Sequence, residues 1–286
     1  IAAANSSVPT SFFKGSIDEV RVWDVALTDS QFRYVMNQEI LSNGSLTNGA
    51  VIPNTITLNN ISIIPWTNLK AYYPMSTYSF VNAKDKSSYG LTAALRNINT
   101  VDLQTAPLPY ESASTGNWET PGIWKNYTLQ ELPNSASIEN PPTTGSSNAP
   151  PPIGLASPVT IEWNIIKIKN SHTVTSVGNK QVLGLFIEPT ANLIATTSGG
   201  LQTDGTKIEV SHYLKLDGKI DLVGRSQLVQ TEDSDLDITS AGSIERDQQG
   251  QSNIYNYNYW SSPVGAINAT TNNTSFTVGE VLRDGT

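Results

Sequence analysis

Three groups of residues carry the chemistry that this chain could perform. The first is an aromatic stripe, Tyr255, Tyr257, Tyr259 and Trp260, whose tyrosines alternate with Asn256 and Asn258 before a Ser-Ser-Pro turn. Period-two alternation puts the tyrosine rings on one side of an extended segment. Flat π faces stack on the C–H faces of sugar rings, so the stripe is a candidate ligand platform. The competing reading is a strand whose rings close the end of a stacked β core. The second group is Asp233, Asp235 and Asp237, which alternation also places together, close enough to share a calcium ion. An EF-hand loop needs Gly at its sixth position and Glu at its twelfth; here those positions hold Ile238 and Ile244. What remains is a loose calcium site or a solvated acidic face that discourages edge pairing. The third group is the only two histidines, His172 and His212. No H-E-x-x-H or G-x-S-x-G motif occurs, and nothing positions a Ser-His-Asp triad, so both read as corner or surface residues.

Strands must position these groups. Beyond the Pro-rich stretch from Glu139 to Pro158, β-runs recur at Val159–Ile168, Gln181–Ile187, Asn192–Thr196, Lys207–Val210, Tyr213–Leu216, Lys219–Val223 and Ser226–Gln230. Corners containing Gly, Asp or Asn separate them, and no helical period appears. Short strands at this spacing predict a β-solenoid, in which each rung buries its inward face on its neighbours. A β-sandwich is the alternative, because the spacing is uneven. Trp118 and Trp124, six apart across Pro121-Gly122, read as core at the entry to this region. Strand residues here are chiefly Lys, Ser, Thr and Asn, without the acidic or basic cluster of a catalytic solenoid. Glycosidase-type carboxylate pairs need a separation that sequence does not show.

Composition narrows the class. The 286 residues carry a formal net charge of −8 with 15% charged residues and no cysteine. Clustered Lys and Arg would be needed for nucleic acid, and none is present. No apolar run approaches the roughly 20 residues of a membrane span. Disulfides, cysteine-ligated zinc and thiol catalysis are excluded. Abundant Asn, Thr and Ser with frequent β-branched residues favours an extracellular β-rich protein. An initial Ile and a final turn signal suggest a window on a longer, multidomain polypeptide.

The N-terminal segment runs Gly15-Ser16-Ile17-Asp18-Glu19-Val20-Arg21-Val22-Trp23, then Ala26-Leu27-Thr28. Ile17, Val20, Val22 and Val25 predict a strand. Thr28 as N-cap with Gln31 three residues on is a capping box, and predicts a short helix from Asp29 to Asn37. This passage resembles the last strand and tail of a laminin-G-like, concanavalin-A-type jelly roll. Leu69-Lys70-Ala71-Tyr72-Tyr73-Pro74-Met75 and Asp85-Lys86-Ser87-Ser88-Tyr89-Gly90 resemble the opening of another such unit, truncated or degenerate. The resemblance implies a jelly-roll core position for Trp23 and a calcium site at the jelly-roll rim. Asp18, Glu19 and Asp85 fall in the motifs concerned, and Asp18 and Glu19 are expected to pin the closing strand by hydrogen bonds. No metal ligand set is assigned.

The Tyr259-Trp260-Ser261-Ser262-Pro263-Val264-Gly265 stretch, preceded by Arg246-Asp247-Gln248-Gln249-Gly250, resembles very large surface proteins of gliding Bacteroidetes (Flavobacterium-like) secreted by the type 9 secretion system. The expected organisation is all-β. Residues 1–45 end a laminin-G-like jelly roll, and 46–112 form a β-connector or degenerate unit. Residues 113–158 form a Trp-containing entry and Pro-rich loop, 159–248 a β-solenoid, and 249–286 an aromatic cap and the start of a next module. The resemblance implies a non-enzymatic extracellular adhesin or gliding-motility protein on the outer cell surface. Its partners would be the type 9 machinery during export and surface polysaccharide, with no cofactor beyond calcium. The alternative is a carbohydrate-binding accessory region of a large polysaccharide-degrading enzyme; a third reading is that the solenoid itself is catalytic.

Overall fold

The structure, a computed structural model, describes residues 15, 17–53, 64–76, 78–79, 82–96, 98, 104, 107–125, 133, 163–200, 203–232, 234–247, 253 and 255. It is all-β apart from one α-helix and two single 3-10 turns among those residues.

The N-terminal part begins with β1 (Val20–Trp23) and α1 (Asp29–Met36). The helix starts where the capping box predicts: Thr28 Oγ1 accepts the Gln31 N–H, and Gln31 Oε1 accepts the Thr28 N–H at 3.0 Å. A hairpin of β2 (Ile40–Asn43) and β3 (Leu46–Gly49) follows. Two buried side chains anchor it, Tyr34 in the helix and Gln38 just after its end. Tyr34 donates its hydroxyl to Ile52 O and accepts from Gly49 N, both at 2.7 Å. Gln38 Oε1 accepts from Val51 N and Ile52 N. These bonds satisfy backbone groups that would otherwise be buried unpaired.

β4 (Leu69–Tyr73) pairs antiparallel with β1, so the strand resembling a jelly-roll end lies against the strand resembling a jelly-roll start. These two strands fall on either side of residue 45. The next three strands, β5 (Tyr78–Ser79), β6 (Asn82–Ala83) and β7 (Ala93–Ala94), form a small antiparallel sheet.

The rest of the described chain builds two parallel sheets. Its first strands are β8 (Tyr110–Glu111), β9 (Gly116–Asn117), β10 (Ile165–Ile168) and β11 (Thr173–Val177). Next come β12 (Lys180–Ile187), β13 (Asn192–Thr196), β14 (Lys207–Leu216) and β15 (Lys219–Leu222). Last are β16 (Gln227–Gln230), β17 (Asp235–Leu236) and β18 (Ser243–Arg246). One sheet runs β16-β14-β12-β10-β8 with β17 also on β14; the other runs β18-β15-β13-β11-β9. The chain therefore alternates between sheets up to β16, and from β8 to β14 each strand pairs in parallel with the strand two further on; β17 adds to β14 and β18 to β15. A register shift at Val182/Gly184 bends β12, and β14 opposite it, into two arms.

Register aligns the inward residues into columns. Ile166, Leu185, Leu214 and Leu236 stack in one sheet; Val174, Leu193, Ile220 and Ile244 stack in the other. With Ile168, Ile187 and Leu216, the members from Ile166 to Leu214 and from Val174 to Ile220 form the main core; Leu236 packs against it and Ile244 is exposed. Trp118, Ile123 and Trp124 cover its first turn, both tryptophans buried and packed edge to face at 5.1 Å. The indole N–H of Trp124 donates to Trp118 O at 2.8 Å.

The outer face of the first sheet is covered by the N-terminal part. Ile165, Leu183 and Tyr213 join Tyr34, Ile40, Ile52, Ile64, Leu69 and Tyr72 in a second buried cluster. Gly184 leaves the space that Ile52 enters: a Cβ there would lie 2.9 Å from Ile52 Cδ1. Asn37 Nδ2 donates to Trp163 O at 2.6 Å, and the Arg33 guanidinium lies 4.6 Å from the Trp163 ring centre. Burying each of these aliphatic side chains is worth about 1.5–3 kcal/mol, so the covered face is a principal source of stability.

Candidate functional site

A shallow groove lies where the chain crosses between the two parallel sheets. Three successive corners stack there, residues 190–192, 217–219 and 241–243, around an open groove of about 410 Å³. Small residues are obligatory on its floor. A Cβ on Gly218 would lie 2.5 Å from Glu188 O and closer still to Ala191 O, and one on Gly242 would meet the Gly218 carbonyl. Backbone bonds lock the stack: Lys219 N to Ala191 O and Ser243 N to Gly218 O, both 2.9 Å.

The groove's rim is polar. Asp217 Oδ1 accepts from Ala241 N at 3.2 Å and pairs with Lys215 Nζ at 3.3 Å. Lys219 pairs with Glu245, and Asn192 Oδ1 is buried with no hydrogen-bond partner among the described residues. The charges on this rim are engaged with each other. The surface can offer amide, hydroxyl and carboxylate groups to a polar chain, and it holds no nucleophile aligned with a base.

The Asp233–Asp237 group is partly visible. Asp233 lies outside the described residues and Asp235 lies in β17. Asp237 accepts from Thr239 N at 2.7 Å, from the Thr239 and Tyr213 hydroxyls and from Lys215 Nζ. Burial pushes its carboxyl up, but these donors outweigh burial and bring it down to about 2. Its oxygens are thus committed to neighbouring side chains. No group of three His, Cys, Asp or Glu residues that could hold a metal occurs among the described residues.

His172 lies at a corner, as expected, and His212 departs from the surface or corner reading. His172 Nδ1 lies 2.8 Å from Ser112 Oγ, and that oxygen also accepts the Lys169 N–H. Ser112 is buried, so this Ser–His pair ties the first turn to the second and exposes no nucleophile. His212 is buried rather than on the surface. It sits at the bend of β14, with Nδ1 2.9 Å from Ser211 Oγ.

The jelly-roll motif residues act as clamps. Asp18 Oδ1 accepts the Glu19 N–H, and Glu19 pairs with Arg21 and accepts from the Tyr72 hydroxyl. Arg21 also reaches Val35 O and Gln38 O, two carbonyls at the C-terminal end of α1. It thereby supplies the acceptors of a helix end with donors. Burial raises the Glu19 carboxyl above its ordinary value, with Arg21 opposing.

Asp85 receives three backbone N–H groups, from Tyr72, Ser87 and Leu91, plus the Ser87 hydroxyl. Burial raises its carboxyl, and the four donors bring it below the ordinary value. Trp23 is half-buried against the second cluster rather than at the centre of a core. Sequence reasoning missed the inward turn of Glu19 and Arg21. Their side chains are 9% and 8% exposed, while Val22 between them and the loop faces solvent.

Of the aromatic stripe, Tyr255 is 84% exposed and its N–H donates to Asn253 Oδ1 at 2.9 Å. Tyr257, Tyr259 and Trp260 lie outside the described residues. No helix among the described residues is long and apolar enough to cross a membrane. No protein-family model, curated protein or solved structure matches this chain.

Proposed function

We propose that this chain is part of a non-enzymatic extracellular adhesin or gliding-associated surface protein, exported through type 9 secretion, with a β-solenoid as its rigid spine. The observation that carries the solenoid reading is the series of parallel pairings from β8 to β18 in two sheets. A β-sandwich pairs neighbouring strands antiparallel through hairpins and Greek keys, and that is not the pairing of these two sheets. Stacked circuits make an elongated, stiff body with long lateral faces, which suits a spacer or a display surface. The export route and the surface location rest on the resemblance of the Gly15–Trp23 and Tyr259–Gly265 motifs. The jelly-roll reading of the N-terminal part rests on that resemblance too.

The second reading, a carbohydrate-binding accessory region, is favoured by the polar-rimmed corner groove and by the tyrosine stripe. Both readings meet in one experiment. The purified chain is assayed on a broad glycan array and for turnover of plant and algal polysaccharides. The adhesin reading expects no turnover, and sustained cleavage sinks it. Binding that disappears in Tyr257→Ala and Tyr259→Ala, with the fold intact, supports the accessory-region reading; silence on the array counts against it.

A further inference from the structure

A second hollow, of about 280 Å³ and more enclosed than the corner groove, lies between β1 and α1. Two sequence periods build it. Glu19, Arg21 and Trp23 alternate along the strand and line one wall. Phe32, Val35 and Met36 have the i, i+3, i+4 spacing of one helix face and line the other. Leu27 completes the lining. It stands just before the Thr28 N-cap and Phe32 stands four residues after that cap, which are the two positions of a hydrophobic staple. A staple brings its two side chains together, yet Phe32 is 56% exposed, and Leu27 and Trp23 are only half-buried. Apolar surface is left over here.

The polar atoms of the hollow say what would fit. Glu19 Oε2 accepts Arg21 Nε at 3.0 Å and Nη2 as well, so the two charges cancel. Oε1 accepts only the Tyr72 hydroxyl, at 3.1 Å, among the described residues. A carboxylate oxygen has two acceptor sites, so one is left. Burial holds this carboxyl above its ordinary value, and a further donor to it offsets that cost. Glu19 also sits at φ +50°, left-handed backbone that is uncommon for a residue with a Cβ. Backbone strain of this kind collects at ligand sites. An apolar pocket with a few convergent polar groups and a shifted carboxyl is the usual form of a small-molecule site.

We propose that this hollow binds a small neutral aromatic molecule with one N–H or O–H donor, such as an indole or a phenol, its ring against Trp23, Leu27 and Phe32 and its donor on Glu19 Oε1. Size sets one bound. The volume, about 280 Å³, falls below the roughly 300–1,000 Å³ of drug-sized pockets, so a small ring system fits and an extended glycan does not. Charge sets the other, because an ionic guest gains nothing from a floor whose two charges already cancel. The site is separate from the corner groove and from the tyrosine stripe, and it does not depend on the export reading.

The test is a fluorine NMR titration of the full chain with fluoroindole, followed by displacement with indole or with benzofuran, which has the same shape and no donor. The expected result is saturable line broadening, reversed by indole at about tenfold lower concentration than by benzofuran. On the protein side, the Trp23 indole and Arg21 guanidinium N–H signals shift as indole is added, and those of Trp118 and Trp124 stay in place. Phe32→Ala, at an exposed position, abolishes the broadening with Tm unchanged, while Leu41→Ala, outside the hollow, keeps it. Broadening that never saturates overturns the proposal. So does benzofuran displacing as well as indole, or full binding by Phe32→Ala. Trp23 and Arg21 signals that do not move in the unmodified chain overturn it without recourse to any variant.

Discussion

Replacing Gly218 by alanine adds one methyl group where the corners at 190–192, 217–219 and 241–243 meet. Its Cβ would stand 2.5 Å from Glu188 O, about 1 Å inside ordinary contact, and nearer still to Ala191 O. Both obstacles are backbone, so no side chain can rotate away. Relief requires moving the 217–219 corner outward, which strains Gly218 N to Ile187 O at 3.0 Å and Ser243 N to Gly218 O at 2.9 Å. Overpacking of this kind costs about 1–3 kcal/mol, and each weakened backbone bond adds about 1 kcal/mol. Alanine returns about 0.4–1 kcal/mol by restricting the unfolded chain. The net expectation is a loss of roughly 2–5 kcal/mol, or a Tm lowered by roughly 4–20 °C at this chain length. Gly122→Ala is the control, because nothing lies within 4 Å of its added Cβ; its Tm should hold or rise. Urea and thermal unfolding followed by circular dichroism read both. A Gly218→Ala protein as stable as Gly122→Ala would refute the corner stacking from which the magnitude is derived.

Three further outcomes follow from the same contacts. Arg21→Met should destabilise by roughly 3–5 kcal/mol, because it leaves the buried Glu19 carboxylate unpaired; adding Glu19→Gln should recover part of that loss in a double-mutant cycle. Asp85→Ala strands three backbone N–H donors, so urea unfolding should show a loss of about 2–3 kcal/mol, whereas Asp24→Ala on the exposed surface should change little. Asp237 is depressed to about 2, so its contribution is present above the ordinary carboxylate value near 3.8 and is lost as pH falls through 2. Screened at a partly solvated corner, it should amount to about 1 kcal/mol, readable as a smaller acid-induced drop in stability for Asp237→Asn than for the unmodified chain between pH 4 and 2.

Much of the fold is legible in the residues. Alternation in Asn192–Thr196 and in Lys219–Val223 marks strands with one buried and one open face, and the structure has them so, whereas the strand at Thr173–Val177 was not expected. The capping box at Thr28 and Gln31 locates the helix to within a residue of its end. Less legible was what covers the first sheet. Ile165-Ile166 and Val182-Leu183-Gly184-Leu185-Phe186-Ile187 are apolar without alternation, which is the mark of a strand buried on both faces. The partner is the segment from Tyr34 to Tyr72, far away in sequence. The hairpin at Ile40–Gly49 escaped because its alternation is weak and its tight turn at Gly44 was not weighed.

At the candidate site, composition found the small and polar residues but not their stacking. Circuits differ in length, so no repeat in the sequence brings 190, 217 and 241 into line. Glu19 was expected to pin the strand by hydrogen bonds and does so, but its partner Arg21 went unread because a buried charged pair inverts the hydrophobic pattern of its strand. Once the helix end at Val35 and Gln38 is in place, the inversion has a physical cause.

The central claim is that this chain works at the outer cell surface. Its most direct test is labelling of intact producing cells with an antibody to the chain, in wild type and in a strain lacking the type 9 export channel. The account predicts surface labelling in wild type that is lost in the export mutant while the protein accumulates inside. Retention of the protein inside wild-type cells, with no surface label, would contradict it.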